Sequence, residues 1–171
     1  MRWAITGTPG TGKTTVASNL SLDIPVTSLA EILDDEGFIS GYDPDRDTEI
    51  IDLDALVTWL KSQPSSCVIE SHVSHLLPVD AVIVLRCHPE ELVSRLEHRY
   101  GNGQEQRIAE NIESERHDII LIEALKQHDN QHVYEIDTTP LSIAEVTNEV
   151  NAIIEGNRTP QSGIVSFLED A

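Results

Sequence analysis

The sequence is poor in basic residues, and this scarcity limits what the protein binds. Its 171 residues contain 11 Lys and Arg against 30 Asp and Glu, for a formal net charge of −19. So acidic a chain repels nucleic acid phosphates, and we expect no direct sequence-independent binding to RNA or DNA. The acidity indicates either a basic partner or a salty cytoplasm in which screening weakens self-repulsion. Only three lysines are present and the acids are spread along the whole chain, which favours salt adaptation.

Cysteines and long apolar runs are also scarce. Cys67 and Cys87 lie in or beside short apolar runs, which predicts buried thiols in a reducing compartment and no disulfide. No apolar run approaches a membrane span, and a strand predicted from residue 2 leaves no room for a signal peptide. The histidines do not cluster like ligands, so we expect no zinc site. A cytoplasmic, globular protein without membrane contact is predicted.

What the chain does contain near its start is glycine. The segment GTPGTGKTT, residues 7–15, follows the apolar run RWAIT and precedes a helical pattern. Its Gly7, Gly12, Lys13 and Thr14 fit the phosphate-binding pattern G-x-x-x-x-G-K-[ST]. The pattern predicts a nucleoside triphosphate site, with Lys13 at the outer phosphates and Thr14 on Mg²⁺. The expected phosphate cradle comprises Gly7, Thr8, Pro9, Gly10, Thr11, Gly12, Lys13, Thr14 and Thr15.

Strand and helix patterns alternate along the rest of the chain. This order predicts a three-layer α/β domain with a mostly parallel, five-stranded sheet and a ligand at the carboxyl ends of the strands. Ser28 and Glu31 predict a capping box at the second helix. We expect strands over residues 2–6, 24–29, 66–71, 80–87 and 132–137, helices over 28–38, 52–63, 89–99, 106–128 and 142–156, and an acidic loop over 39–50.

A phosphate-binding loop alone does not separate kinases from GTPases and motor ATPases. A GTPase carries an N/T-K-x-D guanine motif, which the lysine contexts GKT, LKS and LKQ exclude. Helicases and transporters need a much longer chain. A small kinase or a compact ATPase remains.

Five segments together resemble the adenylate kinase isoenzyme 6 family, the archaeal and nuclear adenylate kinases and ATPases linked to small-subunit ribosome maturation. In order they are ITGTPGTGKTTVA, GYDPDRDTEIIDLDAL, VIESHVSHLLP, VLRCHPEELVSRLEHR and ENIESE. The resemblance implies a P-loop nucleoside monophosphate kinase fold over residues 1–156, with a short acceptor-binding segment near 28–52 and a short lid near 99–107. It also implies the reaction ATP + AMP ⇌ 2 ADP with Mg²⁺, a slow ATPase, and a basic small-subunit ribosomal protein as partner. The tail over 157–171 contains Pro and Gly and then an apolar patch, which predicts docking either on the body of the molecule or on a partner.

Glu70 and His72, at the carboxyl end of the third predicted strand, match the family's D-x-H pattern with Glu in place of Asp. Glu70 ends that strand beside the glycine loop, where P-loop enzymes place a carboxylate near Mg²⁺. Its longer side chain favours contact with Mg²⁺ through a water. His72 is expected to orient a water or a phosphate. The alternatives are a strand-end acid for Glu70 and a packed histidine for His72.

Arginines are the remaining candidates for phosphate contacts. Arg95 and Arg99 lie four residues apart on one helix face beside the lid, so both are expected to contact ATP, and Arg107 is a candidate to join them. The alternative is pairing with surface acids such as Glu91. Arg86, at a strand's carboxyl end, is expected to line the substrate site.

The segment expected to bind AMP, the phosphoryl acceptor, departs from the family pattern. The family often has an arginine where this chain has Glu31, and Arg46 is the only arginine between residues 3 and 85. We therefore expect Arg46 to bind the acceptor phosphate, although a loop arginine solvated by Asp45 and Asp47 is the alternative. Two functions stay open: a monophosphate kinase, and an ATP-driven assembly factor that grips a basic ribosomal protein. A shikimate- or gluconate-type kinase is a weaker third.

Overall fold

Strands and helices alternate along the chain in a computed structural model that describes residues 1–33, 37–44 and 48–168. The strands are β1 Arg2–Thr6, β2 Val26–Ser28, β3 Ile39–Asp43, β4 Thr48–Ile51, β5 Cys67–Glu70, β6 Ala81–Arg86 and β7 Val133–Asp137. The helices are α1 Lys13–Ser18, α2 Leu29–Ile32, α3 Leu53–Ser62, α4 Pro89–Tyr100, α5 Glu105–Arg116, α6 Ile119–Gln127 and α7 Ile143–Ile154. Arg46 lies outside the described residues.

A five-stranded sheet in the order β2-β5-β1-β6-β7 forms the middle layer, and all of its strand pairs are parallel. The predicted fold class is therefore confirmed. The register sets Ile5 of β1 beside Glu70 of β5 on one side and beside Ile83 of β6 on the other. The segment that follows β1 consequently emerges next to the carboxyl ends of β5 and β6.

Apolar side chains cover both faces of this sheet, which explains the near-continuous apolar character of its strands. On one face Ala4 and Val82 pack with Leu56 of α3 and Leu121 of α6. On the other face Ile5, Val68 and Ile83 pack with Val16 of α1 and Val150 of α7. Among the described residues, no helix combines the length and apolar character needed to cross a bilayer.

The acidic segment predicted as a loop is different in the structure. Its described residues form an antiparallel hairpin in which β3 pairs with β4, with Tyr42 opposite Glu49 and Ile39 opposite Ile51. The β-branched and aromatic residues of these strands favour extended backbone despite the surrounding acids. The predicted loop over 39–50 was therefore wrong for the described part of this segment.

Two helix predictions also need correction. Ser28 makes no side-chain cap to α2, because its Oγ donates instead to Glu70 Oε2, so the predicted capping box is wrong. The long helix predicted over 106–128 is two helices, α5 and α6, separated at Asp118, whose φ of 54° is left-handed. An observed capping box pairs Ser142 with Glu145 at the start of α7.

The described part of the tail, residues 157–168, docks on the body of the molecule. The backbone N–H of Glu135 in β7 donates to Gln161 O at 2.8 Å, and that of Ile164 donates to Glu135 Oε2 at 2.8 Å. Phe167 is only 5% exposed, and its ring centroid lies 5.3 Å from Arg86 Cζ. Since β7 ends the order of the five-stranded sheet, these contacts place the tail along a sheet edge.

Candidate nucleotide site

The glycine segment, residues 7–15, joins β1 to α1 at the carboxyl edge of the sheet. A Cβ at Gly7 would lie 2.3 Å from Leu85 O, so only glycine allows the loop to pack against the end of β6. Gly12 has a φ of 95°, which is in the left-handed region that favours glycine. The tight approach and the left-handed turn together give the loop the shape of a phosphate cradle.

Lys13 is buried in this loop and only 7% exposed. Its Nζ donates to Thr8 O at 3.0 Å, so the ammonium lies inside the curve of the loop. Burial lowers the pKa of Lys13 from 10.5 to about 8, with Arg99 acting in the same direction and Glu70 and Glu115 opposing it. A desolvated, charged ammonium in a loop of this shape suits the outer phosphates of a nucleotide.

Glu70 lies beside the loop and is 3% exposed. Its Oε1 accepts from Thr14 Oγ1 at 3.2 Å and its Oε2 from Ser28 Oγ at 2.6 Å. Mg²⁺ prefers oxygen ligands and keeps several waters, so a hydroxyl and one carboxylate beside phosphates fit this ion. Within the described ranges, no group of three or more His, Cys, Asp or Glu is arranged to hold a metal. The donor set therefore fits an ion held largely by a nucleotide.

The two histidines of the ESHVSH segment have different surroundings. His72 has an exposed side on the cleft, while desolvation, followed by the positive charge of Lys13 and further cations, lowers its pKa to about 4. Solvent on the exposed side of the ring weakens this lowering of the pKa, and the ring is neutral at pH 7. His75 is buried between Thr6 Oγ1 at 2.9 Å and Glu123 Oε2 at 3.1 Å. Both histidines border the wider cleft, but the His75 ring is buried and held by hydrogen bonds, whereas His72 is exposed.

Cationic side chains surround the cleft in front of the loop. A narrow cavity of about 100 Å³ is lined by Lys13, Glu70, His72 and Arg99 together with Pro9, Thr14 and others. A wider cleft of about 460 Å³ is lined by His72, Arg99, Tyr100 and Arg107, among others. The guanidinium carbons of Arg107 and Arg99 lie 4.5 and 5.8 Å from the centroid of the Tyr100 ring. The structure thus brings together six of the predicted site residues at the narrow cavity, namely Pro9, Lys13, Thr14, Glu70, His72 and Arg99.

A second cavity, of about 320 Å³, lies on another side of the loop. Gly12 and Val16 line it from the loop and α1, and Thr138 and Leu141 line it from the segment after β7. Its partly apolar walls suit a nucleobase. Arg95 also lines this cavity, although its Nε donates to Glu91 Oε1 at 3.0 Å, the surface pairing given above as the alternative.

Arg86 lies at the end of β6, as expected, but its surroundings differ from those of a substrate-binding residue. It is 1% exposed and forms ion pairs with Glu115, Asp118 and Glu135. Its Nε lies 2.9 Å from Glu115 Oε1 and its Nη1 lies 2.6 Å from Glu135 Oε1. The geometry favours a structural role, because three carboxylates already hold the guanidinium away from solvent.

Two residues of the site were missed from the sequence. Ser28 was assigned to a helix cap, whereas its hydroxyl holds Glu70. Glu115, in the quoted ENIESE segment, received no role, yet its carboxylate accepts a hydrogen bond from Thr8 Oγ1 in the loop. The partners of Glu115, Thr8 and Arg86, are distant from it in sequence, so no local pattern indicated its role.

The fold has clear structural neighbours. A shikimate kinase from Acinetobacter baumannii superposes with a TM-score of 0.56 at 14% identity, covering 92% of this chain and 94% of that chain. A gluconokinase from Sinorhizobium meliloti gives a TM-score of 0.52 at 18% identity, covering 91% of this chain and 92% of that chain. At such identities the likeness shows the fold alone. Together with the loop that holds Lys13, it defines a three-layer α/β fold with a phosphate-binding P-loop.

Sequence comparison identifies the family to which the chain belongs. Residues 4–118 match the family model described as "AAA domain". A protein named "Putative adenylate kinase" from Natronomonas pharaonis is 42% identical over 169 residues, covering 99% of each chain. A relative of the same name from Archaeoglobus fulgidus is 42% identical over 156 residues, covering 91% of this chain and 83% of that protein. The chain therefore belongs to this archaeal adenylate kinase family, which makes it a P-loop nucleotide kinase.

Proposed function

We propose that the protein transfers the γ-phosphoryl group of Mg-ATP to AMP, giving two ADP. The observation that carries the proposal is the convergence of Lys13, Glu70 and Arg99 on one narrow cavity in front of the P-loop. Phosphoryl transfer requires little covalent chemistry from the protein, and depends on positioning and on positive charge around the transferred group. Family membership supports AMP as the acceptor, since the relatives are named as adenylate kinases.

In this proposal ATP places its base in the cavity beside Val16 and Leu141 and its phosphates in the P-loop. Lys13 holds the outer phosphates, and the hydroxyl of Thr14 and the carboxylate of Glu70 provide the protein oxygens for Mg²⁺. When bound, Mg²⁺ supplies charge neutralisation at the phosphates. Ser28 fixes Glu70 by donating to Oε2, so the carboxylate is oriented before any ligand arrives.

Arg99 and Arg107 supply the positive charge on the lid side of the cleft. Both guanidinium groups lie close to the Tyr100 ring, and this contact restricts their positions. Guanidinium groups are always charged and bind phosphates in a bidentate manner, so this pair suits the transferred group. His72 is neutral at pH 7 and contributes hydrogen bonding, not charge, at the same cleft.

The acceptor phosphate needs a cation, because the chain's net charge of −19 otherwise repels it. The described residues of segment 28–52 contain no Lys or Arg, and Glu31 stands in α2 where the family often has arginine. By sequence, Arg46 is the basic residue of this segment. We therefore propose Arg46 as the acceptor-binding residue, with the lid arginines as the other source of charge.

The proposal has a second part, in which the enzyme also hydrolyses ATP slowly and acts in the cytoplasm on a basic protein of the small ribosomal subunit. What supports this part is the family resemblance and the acidic surface of a chain that has 30 acids against 11 bases. Such a surface attracts a basic partner, more weakly in concentrated salt.

Product analysis in molar KCl tests the proposal. Wild-type protein and Lys13→Ala are each incubated with Mg-ATP, with and without AMP, and ADP and inorganic phosphate are measured together. Transfer predicts that AMP raises ADP far above phosphate in the wild type and not in Lys13→Ala. Equal ADP and phosphate, unaffected by AMP, would refute transfer and favour an ATPase switch. Shikimate and gluconate in place of AMP provide the control for a small-molecule kinase.

A further inference from the structure

The P-loop rests on a buried carboxylate that the phosphate-binding pattern does not include. Thr8, in the loop, is 1% exposed and is held at both of its oxygens. Its carbonyl accepts from Thr11 Oγ1 at 2.9 Å and from Lys13 Nζ at 3.0 Å, and its hydroxyl donates to Glu115 Oε2. Thr8 therefore connects the loop's own hydrogen bonds to α5.

Glu115 is itself fixed by the end of the central sheet. It is 2% exposed, and its Oε1 accepts from Arg86 Nε and from the backbone N–H of Cys87, each at 2.9 Å. Its backbone carbonyl accepts from Arg86 Nη2 at 3.1 Å. Rotation of this side chain would take the acceptor away from two buried donors, Arg86 Nε and the N–H of Cys87, which is unfavourable. The carboxylate is thus a rigid support between β6 and the loop.

We infer that Glu115 is a positioning residue of the nucleotide site, which holds the P-loop in its phosphate-binding shape through the hydroxyl of Thr8. The loop binds phosphates with backbone N–H groups, so a fixed start at residue 8 determines where the following N–H groups point. The inference rests on the nucleotide part of the proposed function and is independent of which acceptor is used.

The test removes the hydroxyl of Thr8 and keeps the shape of its side chain. Thr8→Val leaves Glu115 Oε2 without its donor, and loss of one hydrogen bond to a charged group corresponds to a change of about ten- to hundredfold. We expect the Kd and KM for Mg-ATP to rise by this factor while kcat changes only a few-fold, because the support acts on bound phosphates throughout the reaction. Thr8→Ser restores the donor and should restore the KM. Calorimetric binding of Mg-ATP and initial rates in molar KCl measure both.

A control separates positioning from loss of stability. Thr147→Val removes the hydroxyl of another buried threonine, which donates to Ile143 O within α7. It should leave the Kd for Mg-ATP unchanged, whatever its effect on the melting temperature. A double-mutant cycle adds Glu115→Gln, and the rise in KM caused by Thr8→Val should be much smaller in the Glu115→Gln background than in the wild type.

The outcomes distinguish this inference from the proposed function. Wild-type binding of Mg-ATP with an unchanged Kd in Thr8→Val would overturn the role of Glu115 and leave the nucleotide site standing. Additive effects of Thr8→Val and Glu115→Gln would overturn it as well. A wild-type protein that binds no Mg-ATP would overturn both.

Discussion

Replacing Lys13 by methionine should stabilise the ligand-free protein while abolishing its nucleotide response. Lys13 is 7% exposed, and burial lowers its pKa from 10.5 to about 8. A change of one pKa unit corresponds to about 1.4 kcal/mol, so keeping this ammonium charged in the folded state at pH 7 costs about 3 kcal/mol. Methionine has a similar length and carries no charge.

The substitution also loses one favourable contact. The bond from Lys13 Nζ to Thr8 O contributes about 1 kcal/mol, and Thr8 O keeps its bond from Thr11 Oγ1. The net gain is therefore about 2 kcal/mol at pH 7. In a domain of this size 1 kcal/mol shifts the melting temperature by about 2–4 °C, so we expect an increase of about 4–8 °C.

The stability difference between the wild type and Lys13→Met should change with pH in a definite direction. Between pH 8 and 10.5 the unfolded chain still binds a proton at Lys13 that the folded chain has lost, so wild-type stability rises with pH in this window. Lys13→Met lacks this rise, and its advantage should shrink between pH 7 and pH 9.5. Lys61→Met, at an exposed position of α3, is the matched control and should show neither effect.

Thermal unfolding followed by circular dichroism in molar KCl measures these differences. Mg-ATP at a hundred times its Kd should stabilise the wild type by about 2.7 kcal/mol and leave Lys13→Met unchanged. A variant that is less stable than the wild type at pH 7, or an advantage that does not depend on pH, would refute the argument from burial of the ammonium.

Three further predictions follow from charge and burial. With 30 acids against 11 bases, the melting temperature should fall as KCl is lowered, because the Debye length grows from ~3 Å at 1 M to ~10 Å at 0.1 M; a salt-independent value would contradict salt adaptation. Arg46→Ala should raise the KM for AMP by about thirty- to hundredfold and leave hydrolysis without AMP unchanged; an unaltered AMP dependence would move the acceptor contact to the lid arginines. Cys67 and Cys87 are buried, and burial raises the pKa of Cys87 to about 11. Ellman's reagent at pH 8 should therefore react slowly with the folded protein and at once with the protein unfolded in guanidinium. Rapid labelling of the folded protein would show that the thiols are accessible.

Local sequence pattern was sufficient for the sheet and for the P-loop. The loop is contiguous in sequence, and parallel strands buried on both faces have an apolar signature that does not depend on distant partners. The hairpin of β3 and β4 was missed because its many acids resemble a solvated loop, while pairing such as Tyr42 with Glu49 depends on the opposite strand.

Arg86 shows why side-chain roles were harder to predict than elements. Its place at a strand's carboxyl end indicated a site residue, but its partners are separated from it by 29, 32 and 49 residues. The same holds for Ser28, whose hydroxyl had a good local explanation as a cap and a better tertiary partner in Glu70. Rules based on local sequence pair a polar side chain with residues near it in the chain, whereas the fold brings it close to stronger hydrogen-bond acceptors from distant segments.

The docked tail has a consequence for how the molecule behaves in concentrated solution. An open edge strand is a template for pairing with another chain, and proteins commonly protect such edges with charge or with covering segments. Salt that screens repulsion within an acidic chain screens repulsion between copies as well. A physical cover is independent of ionic strength, and residues 161–167 provide one along β7. We therefore expect residues 161–167 to reduce aggregation in concentrated salt, where repulsion between copies is weakest.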